Sequence, residues 1–157
     1  MNRHRPHLIV VPEDDAIRQV AIGFEKSVDR GQQFQVRREV GGWLAVLAAF
    51  LKDLVPHMNL YNGAHVVLAI DFDKDLEARR CRFDNEIPPQ LRDRVYVLGS
   101  RREVENVRDF GSYEVIGEKM AQACRNGAEA FWAHPDLENN LTEARRLHSA
   151  VQKLLFD

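Results

Sequence analysis

Cysteine is scarce in this chain: Cys81 and Cys124 are the only two among 157 residues, and their spacing offers neither a metal-ligand pair nor a disulfide framework. No apolar stretch approaches the roughly 18 residues that span a bilayer. The opening Met1-Asn2-Arg3-His4-Arg5-Pro6 is basic but lacks the apolar region and small-residue cleavage site of a secretory signal. These absences predict a cytoplasmic, reducing setting and no membrane. Also missing are the Gly-x-x-x-x-Gly-Lys-Ser/Thr phosphate loop, the Gly-x-Gly-x-x-Gly dinucleotide fingerprint and the Gly-x-Ser-x-Gly elbow. Nucleotide binding by the first two routes, and serine hydrolysis by the third, are thereby set aside. There is no surplus of one charge either. The net charge is -2 and the sequence pI is near 6.3, so nothing draws the whole chain to nucleic acid. Arginines are instead local, as Arg37-Arg38, Arg79-Arg80 with Arg82, Arg101-Arg102 and Arg145-Arg146. Charge runs of this kind usually face solvent.

What is present is an ordinary globular composition, 45% hydrophobic and 29% charged, over a length suited to one domain with a real core. The reading is one domain over 1–157, with a core over about 7–132 and a C-terminal helix over about 136–156. Strands are expected over 8–11, 34–40, 65–70 and 94–98, the second being the most polar and therefore placed at an edge. A helix from Asp14 or Asp15 presents Ile17, Val20, Ala21, Phe24 and Val28 on one face, with Gly31 as its stop. Gly41-Gly42 opens a helix over 43–54, apolar nearly all round, which Pro56 is expected to end. Such a helix is buried either within the monomer or by a partner subunit. Further helices are expected over 76–83, from 101, over 113–124 and from Pro135-Asp136, with 128–132 as a short strand or connector. The alternation predicts an α/β fold, a three-layer domain with a central, mostly parallel four-stranded sheet flanked by helices.

Two apolar runs each end in acids: His7-Leu8-Ile9-Val10-Val11 leads to Pro12-Glu13-Asp14-Asp15, and His65-Val66-Val67-Leu68-Ala69-Ile70 leads to Asp71-Phe72-Asp73-Lys74-Asp75. In an open α/β sheet, ligands bind at the carboxyl ends of strands. If the two strands are neighbours, Glu13, Asp71 and Asp73 converge. Like charges about 4 Å apart repel by roughly 1 kcal/mol in water and by more at lower dielectric, so a hard cation with oxygen ligands, Mg²⁺ or Mn²⁺, is the expected occupant. The alternative stays open that Asp14, Asp15, Asp73 or Asp75 simply cap helices, each worth about 1 kcal/mol. His7 and His65 open their strands and lie too far from the carboxylates to join them. His134 and His148 have no ligand spacing to each other and are read as structural or exposed.

The order of these features resembles the Toprim domain, the catalytic domain of topoisomerases, bacterial primases and nucleases of the overcoming-lysogenization-defect type. Glu13 matches the family glutamate, and Asp71 and Asp73 match its Asp-x-Asp pair. Val95-Tyr96-Val97-Leu98 followed by Arg101-Arg102-Glu103-Val104-Glu105-Asn106 looks like the downstream segment of some of those nucleases. The likeness spans about 8–106. It implies Mg²⁺-dependent cleavage of phosphodiesters in nucleic acid, most naturally DNA, with Glu13, Asp71 and Asp73 as metal ligands and catalytic groups. Lys74, Arg101 and Arg102 would face phosphate, and Asp14, Asp15 and Glu105 would stand behind the metal ligands. The family glutamate is usually followed by glycine; here Asp14 follows. No tyrosine stands in a topoisomerase-like context, which favours hydrolysis over strand passage.

Two other classes remain. The opening Val10-Val11-Pro12-Glu13-Asp14-Asp15 is similar to a phospho-receiver domain, with Asp71 as phosphoacceptor and Ser100 as a weak switch match, although no Lys-Pro follows a final strand. A non-catalytic Toprim-like module would act through a protein partner or as a homo-oligomer through the helix over 43–54.

Overall fold

Four short strands, β1 (His7–Pro12), β2 (Phe34–Val36), β3 (Ala64–Ala69) and β4 (Val95–Leu98), form one all-parallel sheet in the order β2-β1-β3-β4. The computed structural model describes residues 1–157. Its helices are α1 (Asp15–Lys26), α2 (Trp43–Ala49), α3 (Val55–Leu60), α4 (Leu76–Glu86), α5 (Tyr113–Asn126) and α6 (Leu141–Leu155). The α/β class, the parallel sheet and the edge position of the second strand are as the sequence predicts. None of the helices is long and apolar enough to cross a membrane.

Alternation along the strands divides the core. Ile9, Val11, Val66, Leu68, Val95 and Val97 point to one face, where Val46, Leu47, Phe50, Leu54, Met58 and Phe83 cover them. Leu8, Val10, Val67, Tyr96 and Leu98 point to the other, against Phe24, Ala121, Cys124, Leu147 and Val151 of α1, α5 and α6. Strands buried on both faces explain why their sequences are continuous apolar runs. Where α1 crosses α5, a Cβ on Gly23 would lie 2.0 Å from the Glu114 carbonyl oxygen, and one on Gly117 would lie 1.9 Å from that of Val20. The two helices touch backbone to backbone, and only glycine fits.

Four boundaries differ from expectation. β2 stops at Val36 rather than running to 40, because Arg38 and Glu39 are exposed; the chain still tracks β1, with the Arg37 and Val40 amides donating to the carbonyls of Val10 and Pro12. Pro56 does not end the helix that Trp43 begins. A π-turn over Phe50–Leu54 widens the backbone, and Pro56 occupies the first turn of α3, where its missing N–H costs little. Along this helix Val46, Leu47, Phe50, Leu54 and Met58 are buried in the monomer, leaving Leu44 and Ala48 outside. The segment after β4 is a 3₁₀ stretch, Val104–Phe110; of the two options for 128–132 the structure has the connector, with a 3₁₀ turn over Ala130–Ala133. The last helix starts at Leu141, not at 135–136, since Asp136 is engaged elsewhere.

Candidate active site

β1 leads through α1 to β2 on one side, whereas β3 leads through α4 to β4 on the other. The order of winding therefore reverses between β1 and β3, and the carboxyl ends of this strand pair are the switch-point crevice at which open α/β sheets bind ligands. Glu13 and Asp71 stand there. Pro12 pairs with Ala69 in the β1–β3 register, the Glu13 amide donates to the Ala69 carbonyl at 2.9 Å, and the Asp71 amide returns a bond to Glu13 Oε2 at 2.7 Å.

Asp71 is the most constrained of the acids. Its Oδ1 accepts from Ser100 Oγ at 2.6 Å and from the Val104 amide at 3.0 Å. Burial pushes its pKa up to about 7, the Ser100 hydrogen bond opposes that rise, and the charges of Asp14, Glu13 and Glu105 add to it. Glu13 is raised in the same direction, first by burial, against the Asp71 amide, with Asp14 and Asp73 adding repulsion and Arg79 relieving it. The two central acids thus sit in a volume with too much negative charge and too little water.

Asp73 is placed differently. It and Lys74 adopt positive φ, 49° and 64°, a conformation uncommon for residues with side chains. Backbone bonds hold them there: the Asp73 amide donates to the Arg102 carbonyl at 3.0 Å and the Lys74 amide to that of Arg101 at 2.9 Å. The Asp73 carboxylate is 63% exposed and lies 3.7 Å from Arg79 Nη2. Glu13, Asp71 and Asp73 are neighbours, but no three His, Cys, Asp or Glu side chains are gathered at ligating distance. The donor set itself suits a hard cation: all oxygen, over-charged, with Glu13 Oε1 and Asp71 Oδ2 making no hydrogen bond within the protein.

The remaining residues named from the sequence divide. Asp14 is extended at φ -139°, and its Oδ1 accepts from the Ile17 amide at 2.9 Å, so it caps α1. The turn after Glu13 needs no left-handed residue. Asp15 is exposed and bonds Gln19. Glu105 is exposed and acts on Asp71 through charge. Lys74 and Arg101 are exposed at the rim, Arg101 lying 3.7 Å from Glu138. Arg102 spends Nε and Nη2 on Asp136, both at 2.8 Å, and that carboxylate is only 2% exposed. The pair is a tie between the β4 loop and the segment before α6.

Three further residues matter here: Arg79 and Gly99, given no site role by the sequence, and Ser100, noted there only as a weak receiver-type match. Arg79 Nη1 donates to the Asp71 carbonyl at 2.7 Å, Ser100 binds the Asp71 carboxyl, and Gly99 permits both loops to meet. A Cβ on Gly99 would lie 1.7 Å from the Ile70 carbonyl oxygen. Ser100 had a signal, as the first polar residue past an apolar strand; Arg79 sat inside a run of arginines resembling a solvated face.

Fold and site together define an α/β domain with carboxylates gathered at the switch crevice of a parallel sheet. Compared with protein-family models, curated proteins and solved structures, the chain matches none.

Proposed function

We propose that this chain is a Toprim-type, Mg²⁺- or Mn²⁺-dependent phosphodiesterase acting on nucleic acid, DNA first, within a reducing cytoplasm. One observation carries the reading: Glu13 and Asp71 are joined through a 2.7 Å bond at the switch crevice, and both carboxyls resist ionisation there. A divalent cation is the partner that reverses that resistance. Glu13, Asp71 and Asp73 would hold it, and when bound it would polarise a phosphodiester and lower the pKa of water. Ser100 and the Val104 amide orient Asp71. Glu13, whose Oε1 is free, is the group suited to receive a proton from water. With Arg102 committed to Asp136, contact with phosphate oxygens falls to Lys74 and Arg101.

The test is cleavage of single- and double-stranded DNA and RNA with Mg²⁺ or Mn²⁺, comparing the native chain with Asp71→Asn/Asp73→Asn, beside calorimetry of metal binding. Metal-dependent cleavage and heat that both vanish in the variant support the reading. Metal-independent cleavage, or an unaffected variant, overturns it. A folded, inactive chain whose biological activity survives the double substitution is a non-catalytic module working through a partner, for which exposed Leu44 and Ala48 offer the surface.

The Ser100–Asp71 hydrogen bond is the observation that favours the receiver-like alternative, since a hydroxyl at the end of β4 touches the candidate phosphoacceptor. Labelling by a small phosphodonor separates the two: a stable acyl phosphate on Asp71 belongs to the receiver alone.

A further inference from the structure

Some arginines of this protein are fixed by several bonds. Arg94 gives Nη1 to the carbonyls of Tyr61 and Ala64 and Nη2 to that of Met58, and Arg102 grips Asp136 with two bonds. Arg79 is different. Its side chain is only 15% exposed and its guanidinium lies over the Trp43 ring, 4.9 Å from the centroid. Nη1 is used on the Asp71 carbonyl, but Nε is buried with no acceptor and the approach to Asp73 is a loose 3.7 Å. A desolvated guanidinium with half its donors idle, set beside carboxylates in excess, is a stand-in for a cation rather than a finished ion pair.

We propose that Arg79 is the resident counter-charge of the carboxylate site, holding Asp73 aside until a divalent cation takes that carboxylate over, with Trp43 beneath the guanidinium registering the exchange. The inference rests on the metal reading above. The exchange needs no backbone movement. Asp73 and Lys74 are pinned by their amides to the β4 loop, while the exposed Asp73 carboxylate is free to change rotamer. Arg79 remains in place through the Asp71 carbonyl, so the charge balance over the indole changes when Asp73 leaves. The arrangement lets the site stand empty without three unpaired acids.

The experiment uses the full chain with Trp132→Phe. Trp132 is the only other tryptophan and is buried on the opposite side of the sheet, so the substitution leaves Trp43 as sole emitter. Mg²⁺ is titrated twice, by heat and by Trp43 emission. Coincident midpoints are expected, and Arg79→Gln should bind Mg²⁺ about two- to fivefold more tightly because a competing cation is gone. An arginine that merely built the loop would give the reverse. Should Arg79→Gln unfold, Asp73→Asn decides: its side chain is exposed, and its cation-free emission should already match the saturated position. Heat with silent Trp43 emission, or weaker binding by a folded Arg79→Gln, overturns this inference and leaves the metal reading standing. No heat from the unsubstituted chain overturns both.

Discussion

The two ends of the sheet are built on opposite principles. At the carboxyl end, Glu13 and Asp71 are under-supplied with positive charge and held towards their protonated forms. At the amino end, imidazoles are held towards their neutral forms. Burial pushes His65 down to about 4, with Arg94 and His7 adding repulsion, and its Nδ1 meets the Tyr96 hydroxyl at 3.1 Å. Burial also lowers His57, followed by the charges of His7, Arg3 and Arg37. His7, fully buried, donates through Nδ1 to the Arg5 carbonyl at 2.7 Å, which leaves its Nε2 to accept from His57 Nε2 at 2.9 Å. The amino end closes its hydrogen bonds internally; the carboxyl end leaves oxygens open. Polar burial that is satisfied is structure, and polar burial that is left short invites a ligand.

The largest expected break in that contrast is functional. Asp71→Asn should reduce metal-dependent cleavage by about a hundredfold or more, read from single-turnover rates, because it removes a charge that no neighbour replaces. His57→Gln at the other end should leave that rate within about twofold.

Next comes the joint between the strands. Gly99→Ala should cost more than about 3 kcal/mol in denaturant unfolding, since the Cβ would meet backbone at 1.7 Å and neither loop can withdraw. Arg94→Met should cost on the order of 3 kcal/mol by taking a part-buried donor from the carbonyls of Met58 and Ala64, whereas that of Tyr61 keeps the Ala64 amide.

The pH response sharpens the comparison further. Asp71 is raised from 3.8 to about 7, so the folded state binds more protons than the unfolded one in that window, and stability falls as pH rises through it. His65 is lowered from 6.5 to about 4, so the folded state binds fewer protons, and stability rises with pH across that range. Each contributes on the order of 2 kcal/mol once solvent screening is allowed for. They oppose between about 4 and 6.5. Melting curves of Asp71→Asn should therefore rise more steeply with pH than those of the unsubstituted chain, and those of His65→Gln should fall. Parallel curves for all three would dissolve the contrast.

The smallest effect concerns the thiols. Cys81 is exposed, whereas Cys124 is buried and pushed up to about 12 by that burial. A thiol reagent should label Cys81 alone in the folded chain and both residues after denaturation.

The framework was legible because burial on both faces writes itself as unbroken apolar runs, and because an acid after such a run has few places to go. Glu13 and Asp71 meet where the sequence puts them. Arg79 was hidden by its own neighbourhood: Arg79, Arg80 and Arg82 share one helix, and only the docking of α4 draws Arg79 over Trp43 and Arg80 over Phe72 while Arg82 stays exposed. The His7–His57 pair joins residues fifty positions apart, with no local periodicity to announce it. Asp14 takes the helix-cap role that the sequence left open beside a place behind the metal ligands. Pro56 read as a terminator because the rule assumes an i→i-4 ladder, and the π-turn is a local exception to that ladder.

That π-turn makes the helical segment over 43–60 intolerant of a one-residue deletion. Excising Lys52, an exposed residue of no evident chemical use, would restore ordinary α geometry, since the wide turn holds one residue more than an α-helix needs to keep Phe50 and Met58 on the same face. In that regular ladder the Pro56 ring would strike the carbonyl four residues before it. Residue count, rather than residue identity, is what this stretch of surface preserves.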